Sequence, residues 1–182
     1  MNYADIKKYD IANGTGIRIS LFVSGCPHHC KNCFNPEAWD ELYGHPFTEK
    51  EENEIIEFLG NSYINGLSLL GGEPMWPKNQ ERLLPFLKRV KENFPKKDIW
   101  CYTGYLFDKE IVDIMYKESK TTRELLKLID VIVDGRYIDE LKDITLFFRG
   151  SSNQRIIDVK KSLKEGKVCE IIMKDEGVKQ NA

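Results

Sequence analysis

The chain predicts an α/β fold, an open, partial (β/α) barrel of about five to six βα units. Three observations point there. Short apolar runs recur along the 182 residues, and each is followed by a polar stretch with helical periodicity. The runs stand roughly 30 to 50 residues apart, room enough for a helix to return the chain to a parallel strand. A closed eightfold barrel takes about 250 residues, so a chain of this length leaves the barrel incomplete or the sheet strongly curved. In either form the ligand site lies at the carboxyl ends of the strands.

The elements follow in order. Ile17 to Val23, Gly66 to Leu70, Asp98 to Thr103, Asp130 to Asp134 and Val168 to Met173 read as strands, because apolar residues run together there and end on glycine or a polar residue. After the first strand, Thr48 and Glu51 form a capping box that opens a helix through Leu59, with Ile55, Phe58 and Leu59 as its apolar stripe. A second helix, after Asn79, carries Leu83, Leu87, Val90 and Phe94 on one face, with Pro85 as an early kink. A third helical region follows Asp108, breaks near Ser119 to Thr122, and resumes through Leu125, Leu126 and Ile129. The absence of repeats, low-complexity tracts and linkers predicts one domain over 1–182. Residues 158–182 read as a C-terminal extension, whose Lys160, Lys161, Lys164 and Lys167 form a solvated helix and an edge strand.

Charge narrows the partners. Twenty-seven Lys plus Arg stand against 29 Asp plus Glu, a formal net charge of -2, so no excess of cations is available to neutralise a phosphate backbone. Nucleic acid is therefore not the expected partner. No apolar run approaches the roughly 18 residues that span a bilayer, and the N-terminal residues lack the apolar core of a signal peptide. A cytoplasmic protein without a membrane partner is expected.

Cysteine placement carries the chemistry. Cys26, Cys30 and Cys33 fall in a C-x3-C-x2-C spacing, while Cys101 and Cys169 stand alone. In a reducing compartment such clustering points to metal ligation rather than disulfides. Three soft thiolates on one loop can wrap three corners of an iron-sulfur cubane and leave the fourth iron open to a ligand. The competing reading is a structural zinc held by the same cysteines with His28 or His29, although both histidines sit awkwardly inside the tight loop. Cys101 falls in mid-strand and is expected to point into packing; His45 reads as a surface residue. The cysteines follow the first strand, Gly71-Gly72-Glu73-Pro74 the second, Thr103-Gly104-Tyr105 the third and Asp134-Gly135-Arg136 the fourth, so four motifs are expected on one rim.

These residues carry a resemblance. Cys26-Pro27-His28-His29-Cys30-Lys31-Asn32-Cys33, followed by Gly71-Gly72-Glu73-Pro74, resembles the paired motifs of radical S-adenosylmethionine (SAM) enzymes. Asn13-Gly14-Thr15-Gly16, Trp100 to Tyr105, Asp134 to Tyr137 and Phe148 to Arg155 are similar to one branch, the activators of anaerobic ribonucleoside-triphosphate reductase, over about Asn2 to Val159. The resemblance implies a barrel of radical SAM type, one 4Fe-4S cluster on Cys26, Cys30 and Cys33, and SAM chelated at the open iron. It places the SAM methionine at Gly71, Gly72 and Glu73, the ribose or carboxylate at Thr103, and the adenine near Asn32 and Phe34. Many such enzymes have an aromatic residue where this chain has Asn32; here the aromatic, Phe34, follows the last cysteine.

The implied activity is reductive cleavage of SAM, with the resulting 5'-deoxyadenosyl radical generating a glycyl radical on the partner reductase. A flavodoxin or ferredoxin-type protein is implied as reductant. Asp134 with Arg136 is expected to form a salt bridge shaping the rim, and Arg149 or Arg155 to meet the SAM carboxylate or the partner. Competing functions are activation of another glycyl-radical enzyme of the pyruvate formate-lyase type, radical SAM chemistry on a small molecule, and a zinc-binding interaction module.

Overall fold

The computed structural model describes residues 1–173, and its elements are α/β. Seven strands, β1 (Asn2–Asp10), β2 (Ile17–Val23), β3 (His45–Pro46), β4 (Ile64–Gly71), β5 (Asp98–Tyr102), β6 (Val131–Asp134) and β7 (Arg155–Asp158), form one mixed sheet in the order β3-β1-β2-β4-β5-β6-β7. Strands β2, β4, β5 and β6 are parallel neighbours, and they are the first four strands predicted from the apolar runs. The edges are antiparallel: β1 and β3 on one side, β7 on the other. Four parallel strands mean fewer repeated units than the five or six expected, because the rest of the chain closes the sheet's edges.

The predicted strand at Val168 to Met173 does not form. Arg155–Asp158 takes the place beside β6 instead, and the later segment touches β7 through a single bridge, Ile157 with Glu170. Of the expected C-terminal extension, 158–182, Val159 packs in the core, and 174–182 lie outside the described residues.

Local chemistry sets the helices. Helix α1 (Glu49–Leu59) begins at the Thr48–Glu51 capping box, both halves of which are present. Helix α2 (Pro77–Asn93) starts two residues ahead of Asn79, with Pro77 in the first turn, where a missing N–H costs nothing. It continues through Pro85, which is exposed. A wide π-helical segment, Phe107–Met115, leads into one turn, α3 (Tyr116–Glu118). The chain then breaks at Ser119, whose hydroxyl accepts from the Thr122 N–H and opens α4 (Lys120–Leu128). Helix α5 (Val159–Glu165) is capped by Asp158 and stops at Gly166, whose φ of 66° is left-handed.

Alternation along the strands gives the sheet two unlike faces. Ile19, Leu21, Val23, Leu67, Leu69, Ile99, Cys101 and Ile132 pack in one core with Ile55, Leu59, Leu83, Leu87 and Leu125 of the helices. Each such side chain contributes about 1.5–3 kcal/mol on full burial. Arg18, Ser20, Ser68 and Tyr102 occupy the alternate positions, together with an aromatic and β-branched cluster of Trp100, Val131, Val133 and Ile156.

A loop underlies this second face. The Ser68 hydroxyl donates to the Asn13 carbonyl (2.6 Å), and buried Arg18 donates to Ser68 Oγ (2.8 Å) and the Thr15 carbonyl (3.2 Å) while pairing with Asp98 (2.7 Å). A buried guanidinium is tolerated because it is paired and its donors are satisfied. A Cβ at Gly14, where φ is +124°, would lie 2.8 Å from Arg18 Cδ and 3.0 Å from the Trp100 ring. The Asn13 to Gly16 motif is thus a floor beneath the sheet, glycine-dependent because the chain passes against Arg18 and Trp100. Among the described residues no helix is long and apolar enough to cross a membrane.

Candidate metal and cofactor site

A cavity of about 610 Å³ opens at the carboxyl ends of the parallel strands. Cys26, Cys30 and Cys33 line it together with Gly71, Gly72, Glu73 and Thr103, as do Asn32 and Phe34. The four expected motifs therefore share one rim, each delivered by the end of a different parallel strand.

The cysteine loop leaves β2 through Ser24 and Gly25, and backbone hydrogen bonds hold its base. Gly25 N–H donates to the Ala38 carbonyl (2.8 Å) and Cys26 N–H to the Trp39 carbonyl (3.2 Å), both in the short turn Pro36–Trp39 that follows the cysteines. From β4, Gly72 N–H donates to the Val23 carbonyl (2.7 Å) and Glu73 N–H to the Gly25 carbonyl (2.8 Å). The glycines are required by this approach. Gly71 has φ +100°, and a Cβ there would lie 2.8 Å from Phe22 Cα; at Gly72 it would lie 2.6 Å from the Gly25 carbonyl oxygen.

Glu73 reaches the cavity wall with its carboxylate already engaged. Oε1 accepts from the Met75 N–H (2.8 Å), and Oε2 accepts from the Gly104 N–H (2.8 Å) and lies 2.7 Å from His28 Nε2. His28 in turn accepts at Nδ1 from Arg136 Nε (3.2 Å), and Arg136 pairs with Glu110 (3.1 Å). Arginine has no acceptor, so His28 Nδ1 must be the accepting nitrogen and Nε2 the one that donates to Glu73. The Tyr105 ring meets His28 edge-on at 4.4 Å. One carboxylate thus ties the cysteine loop to the ends of β4 and β5. The sequence offers His28 only as a competing zinc ligand and does not reveal this tie; a histidine between two motif cysteines with a carboxylate in the next motif is the available signal.

The remaining rim residues differ in their engagements. Asn32, at φ +56°, donates to Asp139 (2.7 Å), and Phe34 is 81% exposed at the mouth. Thr103 is buried, and its hydroxyl accepts from the Tyr105 N–H (3.1 Å), capping the turn. The expected Asp134–Arg136 salt bridge is not made. Asp134 pairs with Arg155 (2.5 Å), which also pairs with Asp108 (2.7 Å), while Arg136 turns to Glu110 and His28. The reason is placement: Asp134 is buried facing β7, where Arg155 lies directly across the ladder. Arg155 is accordingly committed within the fold, and Arg149 lines the cavity.

The donor set suits an iron-sulfur cluster. All three loop cysteines are free thiols and only partly buried, whereas Cys101 is fully buried in the helix-facing core and Cys169 is buried near Glu165. Burial pushes the Cys26 thiol up to about 11 and raises Cys30 as well, so binding a cationic cluster would draw off their protons. A single zinc needs its donors within about 2.0–2.3 Å of one point. Among the described residues no three His, Cys, Asp or Glu side chains are gathered in that way, and His28 and His29 are occupied with Glu73 and the Trp39 ring. A cubane asks for one thiolate per corner around a wider body, which three cysteines spread along one loop can supply.

Comparison with known proteins agrees with this donor set. A family model described as a 4Fe-4S single cluster domain matches residues 12–157. The chain is 43% identical over 158 residues to the anaerobic ribonucleoside-triphosphate reductase-activating protein of Pasteurella multocida, covering 86% of this chain and 96% of that protein. It is 44% identical over 158 residues to the protein of that name from Haemophilus influenzae (86% and 97% covered). With the one from Escherichia coli K12 it shares 41% over 156 residues (85% and 96% covered).

Proposed function

Because the chain belongs to the family of anaerobic ribonucleoside-triphosphate reductase-activating proteins, with their 4Fe-4S single cluster domain, we propose that it activates such a reductase by radical SAM chemistry. Its sheet, with helices packed on one face and a cavity at the strand ends, is read as the open barrel of the radical SAM type. The observation that carries the proposal is three free thiols on one loop, opening on the same cavity as a Gly-Gly-Glu turn pressed against that loop's base.

Cys26, Cys30 and Cys33 would hold one 4Fe-4S cluster and leave one iron for SAM. When bound, the cluster supplies the electron that splits SAM into methionine and a 5'-deoxyadenosyl radical able to take hydrogen from a glycine of the reductase. The chain's own residues position and shield. Gly71 and Gly72 keep the rim free of side chains where the methionine end would approach, and nearby backbone carbonyls can accept from its ammonium. Glu73, already bound to two N–H groups and His28, fixes the geometry of that rim rather than offering a free carboxylate. The adenine would lie against Asn32 and Phe34, and the ribose would lie beside the turn that Thr103 caps. A flavodoxin or ferredoxin-type protein would deliver the electron.

The test is anaerobic reconstitution followed by reduction in the presence of SAM and the reductase. Four irons and four sulfides per chain, release of 5'-deoxyadenosine, and a glycine-centred radical signal on the reductase are expected. A loaded cluster that leaves SAM intact under strong reductant would overturn the proposal.

A further inference from the structure

We infer that the excursion from Ile138 to Phe148 is the docking face for the glycine-bearing part of the reductase; the inference rests on the function proposed above. The reacting glycine belongs to a large protein, and its α-carbon must come within bond reach of a group held inside the cavity. Some surface of the partner must then cover the cavity mouth, and whatever flanks that mouth meets it first.

The mouth is flanked by apolar side chains left in water. Ile144 is 90% exposed, Leu141 41%, Phe147 39% and Ile138 39%, and Ile144 itself lines the cavity. Single exposed apolar residues are ordinary, but several together, rimmed by polar groups and beside a reaction site, mark a place where another protein sits.

The excursion is also held in shape, which lowers the ordering cost of association. A bridge between Lys142 and Ser151 closes it, and Ser152 N–H donates to the Leu141 carbonyl (2.9 Å). Asp143 accepts from the Thr145 N–H (2.9 Å) and hydroxyl (2.6 Å), which turns the chain at Ile144. Two contacts tie it to the cysteine loop, Asn32 to Asp139 (2.7 Å) and Lys31 to Glu140 (3.0 Å). These polar rim groups are paired among themselves, so the apolar side chains, with Lys142 beside them, are what remains for a partner. The chemistry that fits is an extended glycine-bearing segment with apolar neighbours.

A second exposed apolar group, Tyr9, Ile11 and Tyr63, gives the comparison. It gathers where β1 ends and β4 begins, at the opposite end of the parallel strands from the cysteine loop and the cavity mouth. The experiment uses the cluster-loaded protein and the purified reductase, with Ile144→Asp, Leu141→Asp and Ile11→Asp compared with the unsubstituted chain. These positions are exposed, so all three variants are expected to fold, and Leu141→Asp and Ile11→Asp, which do not line the cavity, are expected to release 5'-deoxyadenosine at the unsubstituted rate without the reductase. Ile144→Asp and Leu141→Asp should each weaken reductase binding about 10-fold or more and raise the reductase concentration needed for half-maximal glycyl radical by a similar factor. Ile11→Asp should leave both within about twofold.

Unchanged reductase binding in both Ile144→Asp and Leu141→Asp would overturn the inference, and so would a loss confined to Ile11→Asp. Loss of SAM cleavage without the reductase in Ile144→Asp would assign that residue to the SAM site and also overturn it. Failure of the proposed function itself would show separately, as no radical with the unsubstituted protein.

Discussion

The two faces of the central sheet are built by different rules. On the helix-facing side, stability comes from apolar side chains such as Leu21, Leu69, Ile99 and Ile132, all fully buried, and any residue of similar size serves. On the cavity side and its rim, identity matters atom by atom: Glu73 uses both carboxylate oxygens, and Gly72 sits where a single methyl group would strike a carbonyl. The first face holds the fold and the second holds the site. Substitutions at matched depth should therefore separate loss of stability from loss of chemistry.

The largest separation is expected among the cysteines. Alanine at Cys26, Cys30 or Cys33 should abolish the cluster, read as iron and sulfide per chain after anaerobic reconstitution. Cys101→Ala, on the buried helix-facing side, should keep a full complement of iron and cost about 1 kcal/mol of stability. Iron lost from Cys101→Ala would erase the distinction between the two faces at this position.

A sharper contrast pairs Glu73→Ala with Leu69→Ala. Removing the buried carboxylate leaves the Met75 and Gly104 N–H groups and His28 without their partner, at about 3 kcal/mol. Truncating Leu69 leaves a cavity at about 2–5 kcal/mol. The two should lower the melting temperature comparably, yet only Glu73→Ala should change the cluster's absorption spectrum and hasten its loss, because only Glu73 ties the cysteine loop to the strands. Gly72→Ala comes next, at about 1–3 kcal/mol, from overpacking against the Gly25 carbonyl. An unaltered melting temperature there would show that the loop base gives way without cost.

The same division explains what could be read from the sequence. Strands β2, β4, β5 and β6 were legible because they are buried on both faces and write themselves as apolar runs. Strand β1 was not, since Asn2 to Asp10 is mostly polar and holds no apolar run, and it is held in the sheet by backbone pairing to β2. Arg155–Asp158 and Val168–Met173 carry similar short apolar stretches, and the choice between them depends on which lies beside β6, a long-range fact. In the site, the cysteine spacing and the Gly-Gly-Glu turn were local and visible. The Glu73–His28–Arg136 chain was hidden because its members stand 45 and 108 residues apart in pairs and meet only through the fold.

The smallest predicted effect lies far from the rim and serves as the control for all the others. Asp130 immediately precedes β6 at the amino end of the parallel strands, and accepts from the Ile99 N–H (2.8 Å) and Lys91 (2.7 Å) and pairs with Lys160. Burial alone would raise its pKa, but the bonds to Lys160, Lys91 and the Ile99 N–H together outweigh it and hold the carboxyl below its ordinary value. A carboxyl whose folded pKa lies below the unfolded one adds stability at pH above about 4, and that contribution fades as pH falls through the folded value. Asp130→Asn should thus cost about 1 kcal/mol near neutral pH, and progressively less as the pH falls below about 4 and on through the folded value. Cluster content and SAM cleavage should stay as they were. A change in either would mean that the two ends of the strands are mechanically coupled, and the contrast between a face that stabilises and a rim that reacts would have to be redrawn.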